Sequence, residues 1–361
     1  MKRSPKRSIK PGLLFTSFAG LSYAVATGVI SSALISSAVI GSTLFSSAAL
    51  AAEWSVPRTP DGKPDLQGIW NNGTLTPLRR AADFGEKRAF TAEEAMEREQ
   101  RALLSEQRAD APIDPNRAPP TDGNTAAAYN TFWLERGTSV ALINGEYRTS
   151  LIIDPPNGQI PMREGDLPQS LREQWLSRPG VGEFDGPELL SIGDRCLIFW
   201  DFRTSTSTAG PPMLPLAYNN NYQIVQTPDY VIIRIEMTSD LRIIRIDAQP
   251  LPAAQHRWMG DSVGHWEGDT LVVRTANMHP QQSHFGSTAD LKVTERFTRT
   301  SAEQIVYSFT MEDPSVYSAP WTAEIPMHAR PTEKIYEYAC HEGNYALQGI
   351  LAGARVSERE Q

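Results

Sequence analysis

Val263-Gly264-His265-Trp266-Glu267-Gly268-Asp269-Thr270-Leu271-Val272-Val273-Arg274-Thr275-Ala276, residues 263–276, is the stretch whose reading decides the fold. Two runs of alternating residues, 263–267 and 270–276, flank the dipeptide Gly268-Asp269, a two-residue hairpin signal. With that dipeptide as the turn, Trp266 pairs with Leu271 and Gly264 with Val273 on the core face. His265 then faces Val272, on the opposite side of the sheet. The same alternation recurs around this hairpin. Segments 222–226, 229–237, 241–247, 291–299, 304–311, 321–327 and 334–340 also read as strands, with turns such as Pro228-Asp229 and Ser239-Asp240 between them. Nine successive antiparallel strands joined this way curl or close rather than lie flat. The expected fold is mainly β: an antiparallel meander closing into a barrel, preceded by an irregular, partly helical N-terminal region.

The chain ahead of the meander is less regular. Residues 53–90 are punctuated by Pro57, Pro60-Asp61-Gly62, Pro64 and Gly68. Thr91-Ala92-Glu93-Glu94 has the form of a capping box and opens a charged helix to about Arg108. Residues 110–124, rich in Pro, Asp and Asn, read as a linker or long loop, and order resumes at Tyr129 to Leu134. A hairpin is expected over Tyr147 to Pro161, a short helix over Pro168 to Leu176 and a buried strand over Cys196 to Trp200. A small-residue helix, Tyr345 to Val356, ends the pattern, with Asn344 as a possible cap.

Residues 1–51 read as a signal peptide: Lys2, Arg3, Lys6, Arg7 and Lys10, a long uncharged stretch, then Ala49-Leu50-Ala51. A retained anchor is the alternative, because Leu13 to Ala52 is long enough to span a bilayer. The density of Ser and Gly, the Ala-Leu-Ala end and the polar Glu53 favour cleavage, and no stable membrane insertion is expected afterwards. The remainder divides into 52–195, packing on the barrel, and 196–361, the barrel with its C-terminal helix. A periplasmic or secreted protein of this length buries a substantial core. Its net charge of -8 and the lack of a basic face exclude nucleic acid as the expected partner. Cys196 and Cys340 are the only cysteines, and an oxidising compartment lets them pair. Closing so long a loop is worth about 5 kcal/mol in the chain-entropy account. A reactive or metal-binding thiol beside His341 is the competing reading.

Three motifs carry a resemblance: Pro64-Asp65-Leu66-Gln67-Gly68-Ile69-Trp70, Gly264 to Val273, and Tyr336-Glu337-Tyr338-Ala339-Cys340-His341-Glu342-Gly343-Asn344-Tyr345. In these the chain resembles a group of exported bacterial proteins, over nearly all of its length beyond the leader. The resemblance implies export and supplies no catalytic residues. The meander is also similar to calycin-type barrels, at the level of fold alone.

All six histidines lie between residues 256 and 341, so chemistry is sought in the last third. Glu295 sits among Leu291, Val293 and Phe297 on the apolar face of its strand, opposite a face of Lys292, Thr294, Arg296 and Thr298. An inward acid is a candidate general acid or base, because burial raises its pKa. The bland reading is a buried pair with an inward arginine. His265 and Glu267 share a strand face. His341 lies in a loop after the last strand. Arg257, Trp258 and His284 fall in the two longest connections and are candidates, with Trp321, for orienting a ligand. His328 reads as surface. No H-E-x-x-H, H-x-H or Cys-x-x-Cys spacing is present, so no cofactor is implied, although a metal site assembled from separate strands stays open. No G-x-G-x-x-G, P-loop or G-x-S-x-G pattern occurs either.

Two functions fit. One is a cofactor-free exported enzyme using Glu295, His341 and His265 for acid/base chemistry on a small or medium-sized organic molecule, as a lyase, isomerase or hydrolase. The other is a periplasmic β-barrel binding protein for an apolar or aromatic ligand. Oligomeric state is not legible.

Overall fold

Thr270 and Glu267 stand opposite each other across Gly268-Asp269, and from there the hairpin zips with Leu271 against Trp266, Val272 against His265 and Val273 against Gly264. The expected register therefore forms, with Gly268 at φ +57° in the turn. The structure, a computed structural model, describes residues 54–110, 134–199 and 210–360. The leader reading over 1–51, nearly all of the 110–124 loop and the resumption of order at Tyr129 fall outside the described residues.

Ahead of the meander come β1 (Gly68–Asn71), β2 (Ala89–Phe90), helix α1 (Ala92–Ala109), β3 (Leu142–Ile143), β4 (Glu146–Arg148), β5 (Ile152–Asp154) and helix α2 (Leu171–Leu176). The meander is β6 (Asn221–Gln226), β7 (Tyr230–Ile235), β8 (Leu241–Ile246), β9 (Asp261–Glu267), β10 (Thr270–Ala276), β11 (Lys292–Arg299), β12 (Gln304–Glu312) and β13 (Trp321–Ala329), followed by helix α3 (Tyr345–Arg359). Neighbouring strands from β6 to β13 pair in chain order, and β1 closes the cylinder by pairing with both β6 and β13. The result is a closed nine-stranded barrel.

Three expectations are corrected. Residues 334–340 do not form the ninth strand. Beyond β12, the free edge of β13 is taken by β1 at Ala329 and His328 and by β5 at Thr322 and Ala323, which leaves no room for them. They run as coil instead, with the Tyr336 and Tyr338 amides donating to Glu236 and Ser239. Because β1 supplies the ninth stave, the barrel is not confined to 196–361. Second, β8 and β9 are parallel, joined by the long 247–260 connection. Gly264 permits this close pairing, because a Cβ there would lie 2.8 Å from Ile244 Cγ2. Third, the anticipated 147–161 hairpin does not form, and the described residues 196–199 of the expected 196–200 strand are not a strand. β4 turns back on β3, β5 pairs with β13, and Leu197 belongs to a turn closed onto the Ile192 carbonyl.

The helices follow their caps. Thr91 and Glu94 form the capping box of α1, and Ser170 and Glu173 form another at α2, which starts three residues later than expected. Asn344 caps α3 through the Leu347 amide. Cys196 and Cys340 are joined, with 5.8 Å between their Cα atoms. No helix among the described residues is long and apolar enough to cross a membrane.

The barrel is filled, not hollow. Inward side chains of β7 and β10 to β13, such as Ile233, Val273, Phe297, Phe309 and Ile325, are fully buried. Trp70 of β1 seals the seam: its indole donates to the Leu66 carbonyl at 2.9 Å, and the Arg299 guanidinium lies over its ring. At the Asn71 end, Asn71 donates to Asn221 and Glu135, and Asn221 donates to Glu236, each at 2.8 Å. Truncating Trp70 to alanine should open the seam and destabilise the protein by about 3–5 kcal/mol, read as a lower urea midpoint at unchanged slope.

Candidate functional site

Glu295 points inward from β11, as its alternation requires, and is 0% exposed. It meets Arg242 of β8, whose Nη1 donates to Oε1 at 2.8 Å while Nη2 donates to Oε2. The remaining guanidinium hydrogens reach the Ser262 hydroxyl at 3.2 Å and the Thr275 hydroxyl at 3.0 Å. The Tyr307 hydroxyl donates to Glu295 Oε1 at 2.7 Å and accepts the Met213 amide at 3.0 Å. Burial, and then the Glu295 carboxylate, push the Tyr307 hydroxyl well above its usual range, which keeps it a donor. Both carboxylate oxygens of Glu295 are engaged inside the core. Glu295 thus forms the buried pair with an inward arginine that was the alternative to a catalytic role.

His265 lies on the outer wall, as the hairpin register requires. Its Nε2 meets Glu267 Oε1 at 3.0 Å, and Glu267 Oε2 accepts from Arg296 at 2.9 Å. These contacts, the His265 bond first, hold the Glu267 carboxyl below its ordinary value. His341 sits exposed in the turn after Cys340. The three proposed acid/base groups thus occupy the core, the outer wall and the C-terminal tail, and do not converge.

The ligand-orienting candidates divide likewise. Trp321 is 0% exposed and packs edge-on against Phe309, Phe285 and Tyr317, so it is core. His284 is 0% exposed, its Nε2 lies 3.0 Å from Gln282 Nε2, and its carbonyl accepts the Tyr317 hydroxyl. Neither reaches a ligand from outside. His328, read as surface, is half-buried where β1 crosses at Asn71; burial, then Arg330, lowers its pKa.

The two long connections do meet and form a rim. The Arg257 amide donates to the Asn277 carbonyl at 3.0 Å, and the His279 amide donates to the Arg257 carbonyl at 2.9 Å. His256 Nδ1 lies 2.8 Å from the Met278 carbonyl. Trp258 stacks on His279 at 3.9 Å, so its face is covered by the protein itself, while the Arg257 side chain is exposed. Burial, then His256 and Arg195, lower the His279 pKa. The neutral ring accepts the Gln281 amide at Nδ1, which leaves the proton on Nε2 as a donor.

Beside this rim lies a cleft of about 510 Å³ between the 167–195 segment and residues 281–286. Leu167, Leu190 and Ile192 give it apolar walls, Arg195, Gln281 and Ser283 give it polar groups at one end, and Glu173 and Glu188 also line it. Arg195 makes a single long hydrogen bond, Nη1 to Gln281 Oε1 at 3.3 Å, and pairs with no carboxylate among the described residues. By contrast Arg172, also at the cleft, is engaged by the Leu189 carbonyl and Glu183, both at 2.6 Å. The wall is held by the buried Leu189, Leu190 and Ile192 and by the disulfide immediately after Arg195. Arg195, Gln281 and Ser283 were missed in the sequence; the one signal toward them is the position of Arg195 beside a bridged cysteine. Among the described residues no group of three or more His, Cys, Asp or Glu is placed to hold a metal ion.

Fold and cleft together give a closed nine-stranded barrel with a cleft of small-molecule size beside its rim. No protein-family model, no curated protein and no solved structure matches the chain.

Two outcomes follow. Glu295→Ala strands a buried guanidinium and should destabilise by about 3–5 kcal/mol, whereas Arg242→Met with Glu295→Leu should recover much of that loss in urea unfolding. In proton NMR titration, the His279 ring should change charge below the usual histidine value of about 6.5. Arg195→Gln, which removes a neighbouring positive charge, should move that transition up.

Proposed function

We propose that this protein is an exported small-molecule binding protein whose ligand lies in the rim cleft rather than inside the barrel. The ligand has an apolar or aromatic body, set against Leu167, Leu190 and Ile192, and a carboxylate or similar anionic head on Arg195. The observation that carries this reading is the under-bonded Arg195 at an apolar-walled cleft of about 510 Å³, within the range of small-molecule sites. Gln281 and the Ser283 hydroxyl stand by to complete the head group's hydrogen bonds. The enzyme reading needs Glu295, His265 and His341 in one place, and their separation removes its support.

Export is supported by the basic, then apolar, first fifty residues and by the Cys196–Cys340 bridge, which persists in oxidising compartments. This reading needs no metal or cofactor and no nucleic acid.

A matched pair of probes tests it: 4-phenylbutyrate and its neutral amide, titrated by ligand-observed NMR. The carboxylate should bind about tenfold or more tightly than the amide, since a hydrogen bond to a charged group contributes about 1.5–3 kcal/mol. Arg195→Gln should abolish that preference, and Leu190→Glu should abolish binding of both. Tight binding unaffected by either substitution would place the ligand elsewhere.

A further inference from the structure

The outer wall of β6, β7 and β8 carries apolar side chains where a solvated sheet face carries polar ones. Val225, Tyr230, Leu241 and Ile243 are 39%, 45%, 58% and 55% exposed. The strand register sets them side by side. Val225, Ile232 and Ile243 form one unbroken row across the three strands; Gln223, Arg234 and Leu241 form the row above it, and Tyr230 and Arg245 the row below. A contiguous patch of this kind marks an interaction site, unlike single exposed leucines.

The charges around the patch point to its occupant. Arg234 lies at one end of β7 and makes no side-chain hydrogen bond or ion pair among the described residues. Asp229, exposed in the turn at the other end of β7, makes none either. Arg245 is already neutralised by Asp261, with both oxygens at 2.9 Å. Asp247, just past β8, is exposed as well, so with Arg234, Asp229 and Asp247 as its spare charges the patch has no net attraction for an anionic lipid surface. It is complementary to itself.

We infer that this face is the interface of a homodimer, formed by a second copy packed sheet to sheet. The two-fold axis lies in the interface along the Val225–Ile232–Ile243 row. Such an operation sets that row on its own counterpart and reverses the strand direction. Arg234 of each copy then falls over Tyr230 and Asp229 of the other, a cation above an aromatic ring with a carboxylate beside it. Leu241 covers the stem of Arg245. The inference is independent of the cleft, which is built from other elements.

Sedimentation velocity of the full protein over a wide concentration range is the test. A monomer–dimer equilibrium is expected. Ile243→Glu and, separately, Leu241→Lys should yield monomers that still unfold cooperatively, since both side chains point into solvent. Arg234→Asp should weaken dimerisation by about tenfold or more, by placing like charges together. Adding Asp229→Arg to that variant should restore it, because each copy then offers the reversed pair. A protein that stays monomeric at every concentration overturns the inference. So does a monomer that co-sediments with phosphatidylglycerol vesicles and loses this on Ile243→Glu, which would assign the patch to a membrane surface. A dimer indifferent to all four substitutions overturns it as well.

Discussion

Eight strands running from Asn221 to Ala329 make a curved sheet with two edges, and each edge carries a row of unpaired N–H and C=O groups. β1 lies between those edges. All four of its residues pair with β6, and Trp70 and Asn71 also pair with β13, although Asn71 and its β6 partner Asn221 lie 150 positions apart in the chain. Closure removes both edges and brings the inward side chains of facing strands together. It also forces Trp70 into the seam, where Leu66 and Arg299 hold it. β5 completes the same side of β13 at its other end, so the N-terminal region is part of the wall and not a cap resting on it.

Once the cylinder is closed, its interior has room for side chains and nothing else. A buried glutamate in such a core needs an opposite charge and its remaining hydrogen bonds satisfied, and Arg242, Tyr307, Ser262 and Thr275 supply them. The same chemistry that would suit a general acid is therefore consumed by folding. What stays accessible lies outside the barrel: a cleft where the 187–196 segment, fixed by the disulfide, faces the rim connections, and the apolar wall of β6–β8. Arg195, part-buried in a turn, has only Gln281 as a side-chain partner among the described residues, where the buried Arg242 has a carboxylate and two hydroxyls.

The three motifs of the sequence each mark a joint of this architecture. Pro64 to Trp70 delivers β1, and Gln226 of β6 grips it by accepting the Leu66 amide and donating to the Pro64 carbonyl. Gly264 to Val273 contains the hairpin and the glycine that lets β8 approach β9. Tyr336 to Tyr345 carries the second cysteine and the α3 cap.

Most of the barrel was legible in the sequence, because period-two alternation and two-residue turns are local and specify face and register together. The hairpin at Gly268-Asp269, the inward Glu295, the outward His265, both helix caps at Thr91 and Asn344, and the cysteine pair all follow from neighbours within a few residues or from elimination. Tertiary structure alone decided which segment became the ninth stave, since a four-residue strand carries too little pattern to announce itself and 334–340 carries a plausible one. It also decided that Glu295 meets Arg242, 53 residues away, and that Arg195 meets Gln281 and no acid among the described residues. Alternation states which face a side chain occupies; only the curvature and closure of the sheet determine what waits on the other side.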